Sequence, residues 1–289
     1  MNKLSVFAVV LSIVALIGVY GPRHTDGQAH QETVYERVLR TGTIRCGYAL
    51  WPQFVMKDPG TGEMSGFIVE YMNAVGKALG LKVDWPEEVG YGTSIEDLQS
   101  DRIDMMCGIW PSPARSKQVD FSVPIEYTAI VPLVRVDDPR FDDDLRKADS
   151  PSVTVSVIDG DMAMSIAQQD FPHAKLLSLP QMSDFSLMLS NVADGKADIT
   201  FSDVTVGLAF MHTNPNKIKI LHPENPLRIG AASMAVKKGQ QDFLNMLNTT
   251  TEELLSSGVI ERLLVKYEKY PGSFYRAAKP FETKLGAQK

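Results

Sequence analysis

Few side chains in this 289-residue sequence are spaced for catalysis. Its five histidines, His24, His30, His173, His212 and His222, show no paired metal-ligand spacing. No phosphate loop, Gly-x-Ser-x-Gly elbow or dinucleotide fingerprint occurs. Neither a metal site nor a cofactor is expected, and the chain does not read as an enzyme. What remains suits recognition. Arg115 follows Ser112-Pro113, an N-cap with proline at the first helical position. A guanidinium fork there can take a carboxylate through two charge-assisted hydrogen bonds. Asp203, in Phe201-Ser202-Asp203, stands in a strand-to-helix turn where an acid can cap a helix or meet a cation. Tyr48, Trp51 and Trp110 can together form an aromatic box, which favours a cation or an apolar face. Gly108 leaves room for close backbone approach. In Gly160-Asp161-Met162, Asp161 is placed to cap the helix that follows. Each residue also has a plainer reading, as a surface arginine, a helix cap, or a rim or core aromatic.

The elements that must hold these residues alternate between strand and helix. Thr43–Tyr48 reads as a strand. Over Gly66–Leu79 the residues Ile68, Met72, Val75 and Leu79 share one helical face, and Gly80 ends it. Leu81–Trp85 is a short strand stopped by Pro86, after the Gly60-Thr61-Gly62 hairpin turn. Ser94-Ile95-Glu96-Asp97 approximates a capping box for a short helix to Ser100. Asp104–Ile109 is the next strand. The pattern then repeats, with strand Val153–Ile158, helix Gly160–Asp170 and strand Lys175–Leu179. Ser183 can cap a helix carrying Phe185, Leu189 and Val192, and Ala197–Phe201 is another strand. Leu98–Asp104 is echoed by Val192–Asp198, each a helix end, a charged turn and an acid before an apolar strand. Two α/β lobes of related design follow.

The bulk figures exclude other classes. Hydrophobic residues make up 44% and charged residues 22%, ordinary for a folded domain, and the net charge of −6 argues against nucleic-acid binding. Met1-Asn2-Lys3 and the apolar run Leu4–Tyr20 form a targeting segment. Residues 1–29 are expected to be a signal peptide, with a retained inner-membrane anchor as the alternative. An exported, periplasmic protein follows. Its two cysteines, Cys46 and Cys107, each lie in a short apolar run. They read either as buried small hydrophobes or as a disulfide between neighbouring strands. Residues 271–289 read as a loose tail.

Several ordered motifs resemble one family. Thr43-Ile44-Arg45-Cys46-Gly47-Tyr48 with Trp51-Pro52-Gln53-Phe54 is similar to its first strand and aromatic loop. Gly66-Phe67-Ile68-Val69-Glu70 is similar to its helix start, and Ala235-Val236-Lys237-Lys238-Gly239 to its return crossing. Asp104–Gly108, Arg115 and Val119-Asp120-Phe121-Ser122-Val123-Pro124 are the most specific match. Over roughly residues 34–270 the chain resembles the bacterial extracellular solute-binding protein family 3, which serves polar amino-acid importers. The resemblance implies a type II periplasmic-binding-protein fold, α/β in two lobes with two crossover hinge strands and a ligand cleft between. The crossings would fall near Ala129–Arg135 and Leu227–Met234. Lobe 1 would comprise residues 30–130 plus 229–270, and lobe 2 residues 131–228.

The resemblance further implies a monomer that serves an ABC permease in the inner membrane. Arg115 matches the family's carboxylate-binding arginine, Asp203 its ammonium-binding acid and Trp51 an aromatic that stacks on the ligand, with Tyr48 lining the same loop. Trp110 stands where many relatives carry a hydroxyl residue. Asp161-Met162 stands where relatives have two hydroxyl residues at a helix N-terminus that meets the ligand carboxylate, and an acid there repels an anion. A small zwitterionic or cationic metabolite is the expected ligand, such as an amino acid, a basic amino acid or a betaine-like compound. Two alternatives use the same fold. One is a cyclohexadienyl or arogenate dehydratase, although Val204-Thr205-Val206 occupies the region where such relatives carry a glutamate. The other is a ligand-sensing module for a membrane receptor.

Overall fold

A computed structural model describes residues 32–277 of the chain. The targeting segment at residues 1–29 and the tail beyond residue 277 lie outside the described residues. The first strands are β1 (Thr43–Tyr48), β2 (Met56–Lys57), β3 (Met64–Ser65), β4 (Lys82–Glu88), β5 (Met105–Ile109), β6 (Val119–Phe121) and β7 (Glu126–Arg135). They are followed by β8 (Thr154–Ile158), β9 (Lys175–Leu179), β10 (Ile199–Asp203), β11 (Ile218–Ile220), β12 (Arg228–Lys237) and β13 (Phe274–Arg276).

One hydrogen-bonded path runs β4-β1-β5-β12-β7-β10-β8-β9, with β6 on β12 and β11 and β13 on β7; β2 and β3 form a separate hairpin. The two long strands explain how one path serves two lobes. Ser233–Val236 of β12 pair with β5, whereas Arg228–Ala232 pair with β7. Glu126–Ile130 of β7 face β12, and Ile130–Val134 face β10. Each strand therefore leaves one half-sheet and enters the other, which is the crossover geometry of a two-lobed periplasmic binding protein.

Helix Phe67–Leu79 covers the first half-sheet, burying Ile68, Met72 and Val75. Each such side chain contributes about 1.5–3 kcal/mol of burial. Gly80 closes this helix in the left-handed conformation, its N–H bonding back to the carbonyl of Lys77 at 3.4 Å. On the second half-sheet Val155, Ile158, Ile166, Ile199 and Phe201 form the matching core. Cys46 and Cys107 are joined by a disulfide that staples β1 to its neighbour β5, deciding the alternative left open by composition.

Four local expectations change. Strand β4 runs through Pro86 to Glu88 instead of stopping before it. It lies at the end of the sheet path, where a missing N–H breaks no ladder on the open side. The short helix Ser94–Gln99 is preceded by Thr93, with no side-chain cap bond to its backbone. Asp184, not Ser183, caps helix Phe185–Ala193, accepting from Ser186 N at 2.7 Å. The segment expected as a loose tail begins with strand β13, paired antiparallel to β7. Phe274, 2% exposed, anchors it among Phe54 and Phe67.

Candidate functional site

The site is built where strand ends meet the crossover. Asp203 is the last residue of β10 and the N-cap of helix Val204–Thr213. Its Oδ1 accepts from Val206 N at 2.9 Å and from the Thr205 hydroxyl, and its Oδ2 accepts from Trp51 Nε1 at 2.8 Å. The helix-cap reading and the cation-facing reading of this acid are thus compatible, because one carboxylate has lone pairs for both. Burial raises the carboxyl above its ordinary range, and the bonds from Thr205, Trp51 and Val206 oppose that rise.

Asp161 repeats this design on the neighbouring strand. It caps helix Met162–Asp170, accepting from Met164 N at 2.9 Å. Only 4% exposed, it is pushed up by burial to about 7. The acid therefore gains and loses its charge near neutrality, and its expected repulsion of an anion varies with pH.

Arg115 lies on the one-turn helix Pro113–Ser116, which Ser112 caps through Arg115 N at 3.2 Å. Its Nη1 donates to the Trp110 carbonyl at 2.9 Å. Its Nη2 donates to the Gly160 carbonyl at 3.1 Å, reaching from the first half-sheet side to the second.

Trp51, Trp110, Gly108, Arg115, Asp161, Met162 and Asp203 line one cavity of about 60 Å³. Trp51 and Trp110 meet edge to face at 5.2 Å. Gly108 is in place, but for a different reason from ligand approach alone. Its φ is +94°, a backbone conformation that favours glycine, and a Cβ there would also crowd the end of the Ile68 side chain at 2.3 Å.

Tyr48 does not join the others. Strand alternation turns it to the same side as Ile44 and Cys46, into the core. It packs edge-on to Trp85 at 5.9 Å, its hydroxyl accepting from Lys57 Nζ at 3.1 Å. The aromatic box therefore loses Tyr48 and gains residues that the sequence reading missed. Tyr91 and Phe185 also line the cavity, packing at 5.7 Å between it and an outer groove shared with Leu50, Gln181 and Met182. The hydroxyl of Tyr91 donates to the Leu50 carbonyl at 2.8 Å. Met106, Ile109 and Phe201 complete the apolar wall. The signal for Tyr91 was its flanking glycines, Gly90 and Gly92. Phe185 carried none beyond helical periodicity.

The glycines mark a bare-backbone contact across the cleft. A Cβ on Gly160, whose φ is +77°, would stand 2.4 Å from Gly92 Cα. Gly92 N donates to Gln181 Oε1 at 3.1 Å.

The protein-family model for bacterial extracellular solute-binding proteins, family 3, matches residues 44–270. The chain belongs to this family. This family 3 protein is 26% identical to a "probable histidine-binding protein" of Neisseria gonorrhoeae, over 71% of this chain and 75% of the relative. It is 22% identical to the L-cystine-binding protein TcyA of Bacillus subtilis, over 91% of this chain and 96% of that one. Among solved structures, an ancestral arginine-binding protein bound to arginine superposes with a TM-score of 0.67 at 27% identity, covering 78% of this chain and 98% of the other. A further relative, from Haemophilus influenzae, is named a probable amino-acid ABC transporter-binding protein, at 23% identity over 84% of this chain and 91% of that one.

Proposed function

We propose that this protein is the extracytoplasmic solute-binding component of an ABC importer and closes on a small zwitterionic or cationic metabolite. One observation carries the reading. Arg115 and Asp203 come from opposite half-sheets and reach one small aromatic-walled cavity, so a single ligand contacting both favours the closed form. The lobes are residues 30–130 with 229–270, and residues 131–228. The protein acts as a periplasmic monomer that hands its ligand to an inner-membrane permease. Arg115 exchanges a backbone carbonyl for the ligand carboxylate, and Asp203 exchanges the Trp51 N–H for the ligand ammonium. Relatives named for histidine and L-cystine, and a solved relative holding arginine, support an amino-acid-like ligand.

The test is a thermal-shift screen on protein stripped of co-purified solute by unfolding and refolding. The panel holds the common amino acids, betaines, polyamines and prephenate. A ligand at 100 times its dissociation constant stabilises by about 2.7 kcal/mol, so a hit among zwitterions or cations is expected to be readable. A response to prephenate alone would replace this reading with the dehydratase.

A further inference from the structure

Among the described residues, one buried acid is left without a hydrogen-bond partner. Glu126, the first residue of β7, is 0% exposed, and among the described residues neither of its carboxylate oxygens has a hydrogen-bond partner. Arg276 sits opposite it in β13, but that guanidinium is held by Glu261 at 3.1 Å and Glu268 at 2.9 Å. Burying a polar group without a partner costs roughly 2–7 kcal/mol, and an isolated charge far more. Buried polar groups in folded proteins are therefore almost always met by something.

Glu126 is not among the residues lining the cavity, but it shares a sheet face with residues that reach it. Alternate residues of a strand share a face, so Glu126, Thr128 and Ile130 point the same way. Asp203 pairs with Ile130 from β10, and Gly230 pairs with Thr128 from β12. A Cβ on Gly230 would stand 3.0 Å from the Trp110 ring, so Trp110 lies over this face. Trp51 reaches the same face through Asp203. Burial, with the like charge of Asp203 adding to it, holds the Glu126 carboxyl well above the usual range. The indole Nε1 of Trp110 is likewise buried and has no partner among the described residues.

The charge balance points the same way. Asp161, Asp203 and Glu126 are three buried acids, each with a raised carboxyl. Among the residues lining the cavity, Arg115 alone is a permanent cation, and its two terminal nitrogens donate to carbonyls instead of carboxylates. A zwitterion brings one charge of each sign and leaves that balance unchanged. A ligand of net positive charge alters it, and a cation beside a raised carboxyl restores ionisation.

We propose that Glu126 is a specificity-determining residue: with Asp203 it forms an acidic wall, behind Trp51 and Trp110, for a ligand of net positive charge whose cationic group carries several N–H donors. Primary ammonium and guanidinium groups meet this requirement. A quaternary ammonium has no N–H and would leave the Glu126 oxygens as they are, so basic amino acids and diamines bind in preference to betaines. The ligand donor displaces the neutral Trp51 N–H from Asp203 as the tryptophan pair shifts. This inference rests on the solute-binding reading and narrows its ligand.

The experiment is calorimetric titration of stripped wild-type and Glu126→Gln protein with lysine, arginine, putrescine and glycine betaine. Wild type is expected to bind at least one of the first three and to bind glycine betaine more weakly. The glutamine variant should bind the same cationic solute about 30-fold more weakly, the loss expected for a hydrogen bond to a charged group. Its unfolding midpoint without ligand should equal or exceed that of wild type, since a buried acid has been removed. Glu126→Met, close in volume, gives the same readout if the glutamine variant folds poorly. Equal affinity in wild type and variant overturns the proposal and leaves the solute-binding reading standing, as does preference of the wild type for glycine betaine. Failure of the wild type to bind any solute in the broader screen overturns both.

Discussion

The indole Nε1 of Trp51 donates to Oδ2 of Asp203 across 2.8 Å, joining residues 152 positions apart. A neutral donor from the first half-sheet thus occupies the acid of the second. Because its donor is neutral, the bond is weaker than the pairing of carboxylate and cation that a ligand cation would make in its place. On the proposed reading, binding is an exchange of partners on a preformed acid instead of the assembly of a new site.

Substitution of Asp203 separates its two roles. Asn is as good an N-cap as Asp, whereas Ala is not. Asp203→Asn should leave the urea midpoint near that of wild type and weaken binding of a cationic or zwitterionic ligand by about 2–5 kcal/mol in calorimetric titration. Asp203→Ala should show the same loss of affinity plus about 1 kcal/mol of lost stability. An asparagine variant with full affinity would remove Asp203 from the site.

Asp161 sets a pH dependence. Its folded carboxyl, about 7, lies above the ordinary value of 3.8, so the folded chain holds a proton that the unfolded chain has already released. Its contribution to stability is complete below about pH 4 and is lost as pH rises toward about 7, by up to about 4 kcal/mol. Asp161→Asn keeps the cap and removes the proton. Urea unfolding at several pH values should therefore show a shallower decline in the variant than in wild type. Parallel curves would mean that the folded carboxyl titrates normally.

On the proposed reading of lobe closure, the contact between Gly92 and Gly160 limits how far the cleft closes. Gly160→Ala adds a methyl 2.4 Å from Gly92 Cα on a backbone already at positive φ. Overpacking of this kind typically costs about 1–3 kcal/mol, so affinity should fall about fivefold or more. Small-angle scattering at saturating ligand should give a larger radius of gyration than wild type. Gly90→Ala, whose nearest obstacle is the movable Gln181 side chain, should do much less. Identical scattering and affinity in the Gly160 variant would show that the lobes need not approach so closely.

The disulfide should matter for stability more than for binding. Cys46 and Cys107 are 61 residues apart, and closing a loop of that length restricts the unfolded chain by about 4 kcal/mol. Reduction, or Cys46→Ser with Cys107→Ser, should lower the unfolding midpoint while leaving ligand affinity within about threefold, because neither sulfur lines the cavity. A midpoint unmoved by reductant would count against the bridge.

How much of this was legible varied with the range of the interaction. The helix Phe67–Leu79 and its glycine stop follow from a repeat of apolar residues and one residue with no Cβ, both local signals. Strand β4 outran its proline because Pro86 stands on an edge strand, and edge position is a property of the sheet. The motif around Arg115 fixed a short capped helix, yet nothing local could say that its guanidinium would reach the Gly160 carbonyl. Tyr48 ends β1 and Trp51 follows three residues later, and strand alternation sends the first to the core while the second reaches Asp203.

The sequence by itself determined the alternation of strand and helix, the family, the capping acids and the set of residue types suited to a zwitterion or cation. These rest on periodicity, caps and motifs, which are written within a few residues of one another. Only the tertiary structure decided which aromatics face the cavity, that Cys46 meets Cys107, that Gly92 lies against Gly160, and that Glu126 is buried unanswered on the face of Asp203. Each of these depends on strand register and on the crossing of β7 and β12. Register is set by the packing of whole half-sheets, and a shift of one residue turns the side chains of a strand, such as Cys46, Cys107 and Glu126, to the opposite face.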